Sequence, residues 1–244
     1  MKISKAHPRY ESLKQREALL RGYKKGITAL AGLIAQGRGE AFDYLLGERT
    51  NSFARNAIGA AVALLLSARA PVISVNGNTA VICPKEMVKL AKICSAKLEI
   101  NLFHRSQARV KKIEETLLKH GAGRVYGTDP NREIKGIASD RRLADSQGIY
   151  SSDVVLVALE DGDRTEALLR EGKKVIAIDL NPLSRTAQKA SITIVDNVVR
   201  AVSELINSVK KLKKQKQSEL HEIYENFDNK KNLKTALNFM KEKV

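Results

Sequence analysis

Tryptophan is absent from this sequence, and aromatic residues make up only 5% of its 244 positions. Such a composition argues against a carbohydrate-binding platform and against a surface that stacks on single-stranded nucleic acid. Cysteine is also scarce. Cys83 and Cys94 lie eleven positions apart among apolar residues, without the short spacing of a thiolate metal site. We therefore expect two reduced thiols in the core.

Long hydrophobic runs are missing as well. The longest apolar run, Ala57 to Ala68, lies between Arg55 and Arg69 and is far shorter than the roughly 20 residues that span a bilayer. A secretory signal is not recognisable at the N-terminus. These observations predict a cytoplasmic protein that makes no contact with membranes.

Several common catalytic motifs do not occur. The sequence has no G-x-x-x-x-G-K-[ST] phosphate loop, no G-x-G-x-x-G after the first predicted strand and no G-x-S-x-G nucleophile elbow. It also has no His/Cys cluster with metal-ligand spacing. These absences argue against a P-loop kinase, an ordinary NAD dehydrogenase and a serine hydrolase.

Positive charge, in contrast, is abundant. The formal net charge is +16, and residues 207–244 hold ten lysines against five acidic residues, so the excess is spread over the whole chain. Lysine-rich surfaces are common solvated faces in heat-adapted proteins, while nucleic acid or polyphosphate substrates are the binding alternatives. We do not expect nucleic acid as a partner.

The first quarter of the chain is predicted to be helical. Apolar residues recur at spacings of three, four and seven over residues 9–35, with Gly22 and Gly26 as candidate breaks. Gly37-Arg38-Gly39 is predicted to interrupt the pattern as a loop, before a short helix at 40–47 and a long one at 50–68. We assign residues 1–70 to an N-terminal helical region packed on the body.

From Pro71 onward, short β-branched runs alternate with amphipathic segments. Several runs are apolar at consecutive positions, which is typical of strands that helices cover on both faces. The predicted fold class for residues 71–206 is therefore α/β, a Rossmann-like, mainly parallel sheet with helices on both faces. The predicted strands are 72–75, 98–103, 124–126, 154–159, 174–178 and 192–195, and the predicted helices between them are 85–95, 106–120, 139–146, 163–171 and a short one after Ser184.

A helix is predicted from about Asn197, and residues 207–244 are predicted to form a basic helical extension of the same overall domain. Apolar positions are sparse in this extension. We therefore expect its helices to pack loosely on the body or on a partner subunit.

Polar residues gather where the predicted strands end, and in an open parallel sheet ligands bind beyond these carboxyl ends. Asn78, Asp163 and Ser184 are also natural N-caps, and a glycine beside them can simply permit a tight turn. The segments concerned are Asn76-Gly77-Asn78, Glu160 to Thr165, Asp179-Leu180-Asn181 and Asp196-Asn197.

Two of these segments suit a nucleotide with its metal ion. Asp161 and Asp163, beside Arg164, could hold Mg²⁺ through water while a helix N-terminus faces phosphate, although an ion-pair network also gathers such charges. Asp179 resembles the acidic residue that accepts hydrogen bonds from ribose hydroxyls in similar folds. The sequence therefore predicts a nucleotide near Asp179.

Two further groups are candidates for binding phosphate. Arg185-Thr186 offers a guanidinium and a hydroxyl at a predicted helix start. Gly37 to Glu40 combines backbone freedom with a cation, while a helix C-cap explains the glycines equally well. His7 and Arg9 flank a proline that suits a helix entry, and composition alone gives them no binding role.

Seven long segments give a more specific indication, and they lie between residues 3 and 203: HPRYESL, GLIAQGRGEAFDYLLGERT, PVISVNGNTA, LEINLFHRSQAR, GIYSSDVVLVALEDGDRTEAL, VIAIDLNPLSRTAQ and ITIVDNVVRA. Taken together they resemble the archaeal phosphopantothenate synthetase family, also called 4-phosphopantoate–β-alanine ligases. Ala6 departs from the family pattern, which has serine before the histidine, and the lysine-rich tail lies outside the resemblance.

The resemblance implies a homodimeric ligase of coenzyme A biosynthesis. It would condense 4-phosphopantoate with β-alanine to give 4′-phosphopantothenate, AMP and diphosphate through an acyl-adenylate. ATP and Mg²⁺ are the implied cofactors, without a dedicated metal site made of protein ligands alone. The ATP-contacting positions that it implies are Arg16, Arg38, Asp179, Leu180, Asn181, Arg185, Thr186, Asn197 and Val198.

Within this set we assign Arg16 and Arg38 to the phosphates and Asp179 and Asn181 to the nucleoside. Candidates for 4-phosphopantoate are His7, Arg9, Asn76, Asn78 and Arg105. Candidates for Mg²⁺ or for the ammonium group of β-alanine are Asp161 and Asp163, and the neighbouring Arg164 is a catalytic or Mg-associated candidate. The alternative hypothesis is a non-catalytic, nucleotide-binding regulatory protein whose basic tail binds nucleic acid or a protein partner.

Overall fold

The fold is described from a computed structural model, which covers residues 4–242. Its centre is a six-stranded sheet in the order β3-β2-β1-β6-β7-β8, with every pairing parallel. A separate antiparallel pair is formed by β4 and β5. The strands are β1 (Pro71–Val75), β2 (Lys97–Ile100), β3 (Val125–Tyr126), β4 (Arg132–Glu133), β5 (Leu143–Ala144), β6 (Val154–Ala158), β7 (Lys174–Ile178) and β8 (Ile192–Ile194).

Helices surround this sheet, which confirms the predicted α/β, Rossmann-like class. The larger core packs one sheet face against α3, α5, α6 and α9. The helices are α1 (Tyr10–Lys24), α2 (Leu30–Leu46), α3 (Ser52–Ser67), α4 (Thr79–Ile82), α5 (Pro84–Ile93), α6 (Gln107–Lys119), α7 (Gly162–Arg170), α8 (Arg185–Lys189), α9 (Val198–Leu212), α10 (Gln217–Glu225) and α11 (Asn229–Lys241).

The opposite face is covered by α7 and by the long connection between β3 and β6, which we call the crossover segment (residues 127–153). In sheet order the chain runs outward from β1 to β3 and then returns to β6 beside β1, so the strand order switches direction there. Such a switch opens a crevice beyond the carboxyl ends of the strands, which is the usual ligand position in this class of fold.

Two predictions for the helices were wrong. Gly37-Arg38-Gly39 is not a loop, because α2 continues through it to Leu46 and is followed by Gly47, whose φ of 76° provides a left-handed cap. A Cβ on Gly39 would lie 3.4 Å from Leu180 Cδ1, so α2 passes the loop after β7 at ordinary van der Waals distance. Residues 139–146 form a short 3-10 helix followed by β5 instead of the expected α-helix.

The C-terminal extension packs closely, contrary to the expected loose packing. Leu220 on α10 and Leu233 on α11 are buried, and the rings of Phe239 and Phe53 meet edge to face with centroids 5.6 Å apart. Asn229 lies against the edge strand β8, where its Oδ1 accepts the backbone N–H of Thr193 at 2.7 Å. The division of the chain at residues 70 and 206 stays a prediction.

The cysteines lie where the sequence placed them. Cys83 and Cys94 are free and buried, and burial raises the pKa of both thiols, that of Cys94 to about 12. Both are therefore protonated at neutral pH. Over residues 4–242, the structure contains no helix whose length and hydropathy would suit a membrane span.

Candidate active site

A cleft of about 570 Å³ opens at the carboxyl edge of the sheet, as the strand-end residues predicted. Helix α2 forms one wall with Ile34, Arg38 and Phe42, and the residues after β6 and β7 form the opposite wall. Side chains at one end come from Phe103, His104 and Arg141, and the opposite wall consists of Leu159, Glu160, Asp161, Asp179, Leu180, Asn181 and Ser184.

A smaller cavity of about 80 Å³ adjoins this cleft. It is lined by the turn after β1, with Asn76 and Asn78, and by Arg109 of α6. Four residues line both spaces, namely Phe103, His104, Arg141 and Leu159. We call the place where the two spaces meet the junction. Its two polar side chains are those of His104 and Arg141.

Asp179 organises the loop after β7. Its Oδ2 accepts the hydroxyl of Ser184 at 2.5 Å, and its Oδ1 accepts the backbone N–H of Asn181 at 2.9 Å. Burial raises the pKa of Asp179, and the two hydrogen bonds and the charge of Arg38 partly offset this effect. The loop thus presents a carboxylate that is already fixed in orientation, which suits the recognition of sugar hydroxyls.

Arg38 is the free cation of the cleft. It extends from α2 on the wall opposite Asp179 and, among residues 4–242, takes part in no hydrogen bond or ion pair. Its guanidinium is therefore available to an anionic ligand, because no internal carboxylate competes for its donors.

Charged side chains are concentrated on the β6 side of the cleft. Arg141 brings Nη1 to within 2.9 Å of Glu160 Oε1 and Nε to within 2.7 Å of Asp161 Oδ2. Glu160 also pairs with Arg164, which is fully buried beneath the cleft. Burial raises the pKa of Asp161, an effect that the charge of Arg141 reduces. The alternative of an ion-pair network therefore holds for Arg164, while Asp161 remains half exposed to the cleft.

The backbone at Leu159 brings Glu160 into this network. Leu159 has a φ of 53°, a left-handed conformation that is uncommon for a leucine. Such strain is found mainly where the surrounding structure imposes it, often at functional sites. Here it turns the chain between the buried strand β6 and the charged wall of the cleft.

Several predicted positions lie outside both spaces. Arg16 is half exposed and pairs with Glu40, with Nη2 to Oε2 at 2.8 Å, which raises the pKa of Arg16. Arg9 pairs with Glu48 and stacks on Tyr44, and His7 accepts the backbone N–H of Arg9. In the single chain, this part of α1 forms a polar network with α2.

The polar residues after β1 and β2 mostly hold backbone. The side chain of Asn76 donates to Ala158 O at 2.7 Å, and that of Asn78 donates to Gly32 O at 2.8 Å. Both nevertheless line the smaller cavity. Arg105 lines neither space, because its guanidinium donates to Gly127 O and Thr128 O.

Around α8 and α9 the predicted residues are likewise engaged. Arg185 forms a two-pronged pair with Glu166, with Nη2 to Oε2 at 2.6 Å, and the hydroxyl of Thr186 donates to Glu160 O. Asp163 accepts the backbone N–H of Arg164. Asn197 caps α9 through Val199 N. Asn197 and Val198 border a narrow space behind Leu180.

Sequence reasoning missed the residues that line the junction. Phe103 is the last residue of the predicted strand 98–103, and His104 lies just beyond it in no predicted element. Arg141 falls inside the segment 139–146, which was predicted to be helix. The only available signal was position, since residues 101–105 follow β2 as the other polar segments follow their strands. Within the described part of the chain, no group of three or more His, Cys, Asp or Glu side chains is arranged to hold a metal ion.

Comparison with known proteins identifies the family. A family model described as phosphopantothenate/pantothenate synthetase matches residues 53–243. This match includes the C-terminal extension, so the expectation that the tail lies outside the resemblance was wrong.

Three relatives carry the name 4-phosphopantoate–β-alanine ligase. The protein of Thermococcus onnurineus is 56% identical over 214 residues, which are 86% of this chain and 82% of the relative. That of Thermococcus kodakarensis is 57% identical over 205 residues, 84% of this chain and 78% of the relative. That of Methanosarcina mazei is 56% identical over 199 residues, 82% and 78% of the two chains. Because both comparisons cover most of the sequence, this chain belongs to the phosphopantothenate/pantothenate synthetase family.

Proposed function

We propose that this protein is a 4-phosphopantoate–β-alanine ligase that uses ATP and forms AMP and diphosphate. The observation that carries the proposal is family membership together with a cleft that joins a second cavity at the sheet edge. A reaction between a nucleotide and an acid needs two adjoining binding spaces. The larger space would take ATP, and the smaller would take the reacting end of 4-phosphopantoate.

In this proposal ATP lies between α2 and the loops after β6 and β7. Asp179 and Asn181 bind the ribose, and Arg38 binds the phosphates across the cleft. Arg16, Arg185 and Thr186 are family-implied contacts that the single chain engages elsewhere. Their use requires either a small movement or, for Arg16 on the outer helix, a second subunit of the proposed homodimer.

The chemistry follows from the low reactivity of a carboxylate. Attack of the 4-phosphopantoate carboxylate on the α-phosphorus breaks the bond to diphosphate and leaves an acyl-adenylate. The amine of β-alanine then attacks the acyl carbon and releases AMP. Negative charge grows on phosphate oxygens in the first step, and fixed cations stabilise it best where water is excluded. Arg38 and Arg141 are the cations that line the cleft.

The second step needs a proton acceptor, because β-alanine must lose a proton from its ammonium group to become a nucleophile. His104 lies at the junction and is not held by a side-chain hydrogen bond to residues 4–242. An imidazole there can accept this proton. No covalent bond to the protein is required.

Magnesium would enter with the phosphates of ATP. Asp161 is a half-exposed carboxylate that lines the cleft, and a hard cation prefers such oxygen ligands. When bound, the ion would offset charge on the phosphate oxygens. Asp163 is the second candidate, while the buried Arg164 is better placed to orient Glu160.

The test is product analysis with purified protein, ATP, Mg²⁺, β-alanine and either 4-phosphopantoate or pantoate. We expect AMP and diphosphate, in equal amounts, with 4-phosphopantoate and much less with pantoate. Formation of ADP would contradict the adenylate step alone. If neither acid yields a nucleotide product, the non-catalytic regulatory alternative, which no observation on the structure favours, would replace the ligase.

A further inference from the structure

Strand β2 lies between β1 and β3 in the sheet interior, yet it carries a buried charge and is followed by a buried amide. Glu99 is 0% exposed and Asn101 is 1% exposed. Because side chains alternate along a strand, Leu98 and Ile100 enter the larger core, while Glu99 points to the opposite face. Burying such groups is costly unless each has hydrogen-bond partners. Their partners therefore indicate what these two residues do.

All the partners are backbone groups of the crossover segment. Glu99 accepts the N–H of Asp145 at 3.1 Å and that of Ile149 at 2.6 Å, one on each carboxylate oxygen. The Asn101 amide donates to Arg141 O at 3.2 Å and to Leu143 O at 3.0 Å. Four hydrogen bonds from two neighbouring positions thus fix residues 141–149 against the sheet.

The fit around Glu99 is tight. A Cβ placed on Gly148 would lie 1.8 Å from Glu99 Oε2, so only a glycine permits the segment to pass there. The crossover segment has little regular structure of its own, with a short 3-10 helix at each end of this stretch and the brief strand β5 between them. Its position therefore depends on these side-chain contacts and on the apolar residues, such as Ile134 and Ile149, that it buries against the sheet.

What this segment carries into the cleft is Arg141. The guanidinium reaches the junction with Nε and Nη1 facing Asp161 and Glu160, at 2.7 and 2.9 Å. Its Nη2 donates no hydrogen bond to the described residues. The contacts of Nε and Nη1 are buried ion pairs without hydrogen-bond geometry, so they leave Nη2 free to donate to a ligand. Arg141 lines both spaces, so that nitrogen is near the point where an acid and a nucleotide would meet.

We propose that Arg141 is a catalytic residue that contacts the reacting carboxylate and α-phosphate, and that Glu99 and Asn101 are positioning residues that act through it. This inference rests on the proposed ligase function. Displacement of a catalytic group by about 1 Å can slow a reaction by about 100-fold. Loss of the Asn101 amide, which holds the carbonyl of Arg141 itself, should therefore slow catalysis with little effect on ATP affinity.

Lys173 provides a matched control. It is a buried cation that holds the same crossover segment a little further along, with Nζ donating to Tyr150 O at 2.7 Å and to Ser152 O at 3.1 Å. Its removal disturbs the segment without releasing Arg141. A purely structural role for Asn101 predicts that Asn101→Leu and Lys173→Met have similar effects.

The experiment is a double-mutant cycle on kcat and KM for the formation of AMP, with Asn101→Leu, Arg141→Ala and the double variant. For Asn101→Leu we expect kcat to fall by about 10- to 100-fold while KM for ATP stays within about 3-fold of wild type. The double variant should have the same kcat as Arg141→Ala alone. Lys173→Met should keep wild-type kcat. Asn101→Ser repeats the cycle if the leucine variant does not fold.

Two results would overturn the inference while leaving the ligase proposal intact. One is a double variant in which the fold losses of kcat caused by Asn101→Leu and by Arg141→Ala multiply. The other is an equal loss of kcat in Asn101→Leu and Lys173→Met. A wild-type protein that forms neither AMP nor ADP would overturn the proposed function itself, and with it this dependent inference.

Discussion

The buried carboxylate of Glu99 should make the stability of the protein depend on pH in an unusual direction. Burial raises the pKa of Glu99 from the 4.5 of an exposed glutamate to about 7. The backbone N–H groups of Ile149 and Asp145 and the charge of Arg164 oppose this rise, whereas the carboxylate of Asp145 adds to it. The charge of Glu99 is also felt by Lys173 and Arg105, the other cations near it.

The direction of this pH dependence follows from how many protons the folded and the unfolded chain bind. Between pH 4.5 and about 7, the folded chain keeps a proton on Glu99 that the unfolded chain releases. This contribution to stability is therefore complete below pH 4.5 and is lost as the pH rises through about 7. The shift corresponds to about 3 kcal/mol in the free energy of unfolding.

Glu99→Gln removes the titration and keeps the shape. It also turns an amide N–H₂ toward one backbone N–H, which lowers stability by about 1–3 kcal/mol at every pH. The informative quantity is therefore the change with pH in the difference between wild type and variant. Urea unfolding at about pH 5 and about pH 8 should show wild type losing about 2–3 kcal/mol relative to the variant over this interval.

Glu166→Gln is the control. Arg185 lowers the pKa of the surface carboxylate Glu166, so its contribution to stability is lost only as the pH falls below the range of the assay. The difference between wild type and this variant should be constant from about pH 5 to about pH 8. If the Glu99→Gln difference is equally constant, Glu99 titrates as an exposed glutamate does, and the account of its burial is wrong.

Three further predictions concern the cleft and the tail. Arg38→Ala should weaken ATP binding by about 10- to 100-fold in calorimetry, whereas Arg55→Ala, an exposed arginine on α3, should bind as wild type does. His104→Gln should slow amide formation but leave the 4-phosphopantoate-dependent exchange of diphosphate into ATP unchanged, because that exchange reports the adenylate step alone. Loss of the exchange would contradict the role assigned to His104. Leu233→Ala should lower the free energy of unfolding by about 2–5 kcal/mol, whereas Leu118→Ala, at an exposed position, should change it little. Equal changes in the two variants would mean that α11 does not belong to the core.

Much of the sheet could be predicted because its strands are apolar on both faces. Strand β7 was predicted with its observed bounds, Lys174–Ile178. The predicted helix bounds were wrong where the local sequence signals were ambiguous. Two glycines at 37 and 39 are typical of a helix end, but neither adopts the positive φ of a C-cap. Helix α2 continues through both and is capped by Gly47, whose φ is 76°.

The sequence predicted where the candidate site lies but identified only some of the residues that line it. Asp161, Asp179 and Asn181 follow their strands, so the topology alone brings them to the cleft. Arg141 could not be found in this way, because the crossover segment reaches the cleft through side-chain hydrogen bonds from β2 and not through a regular element. Asn76 and Asn78 were predicted from their positions at a strand end, but their side-chain amides donate hydrogen bonds to backbone carbonyl groups.

The contact between Asn229 and β8 has a consequence for how the protein avoids self-association. β8 is one of the two edge strands of the six-stranded sheet, and an edge strand with a free N–H is a template for pairing with another chain. The Asn229 side chain occupies the N–H of Thr193 and so removes that template. Proteolytic loss of the last helices would uncover the strand. Such a fragment also loses the core residues of α11, so we expect it to form intermolecular β-structure and to precipitate.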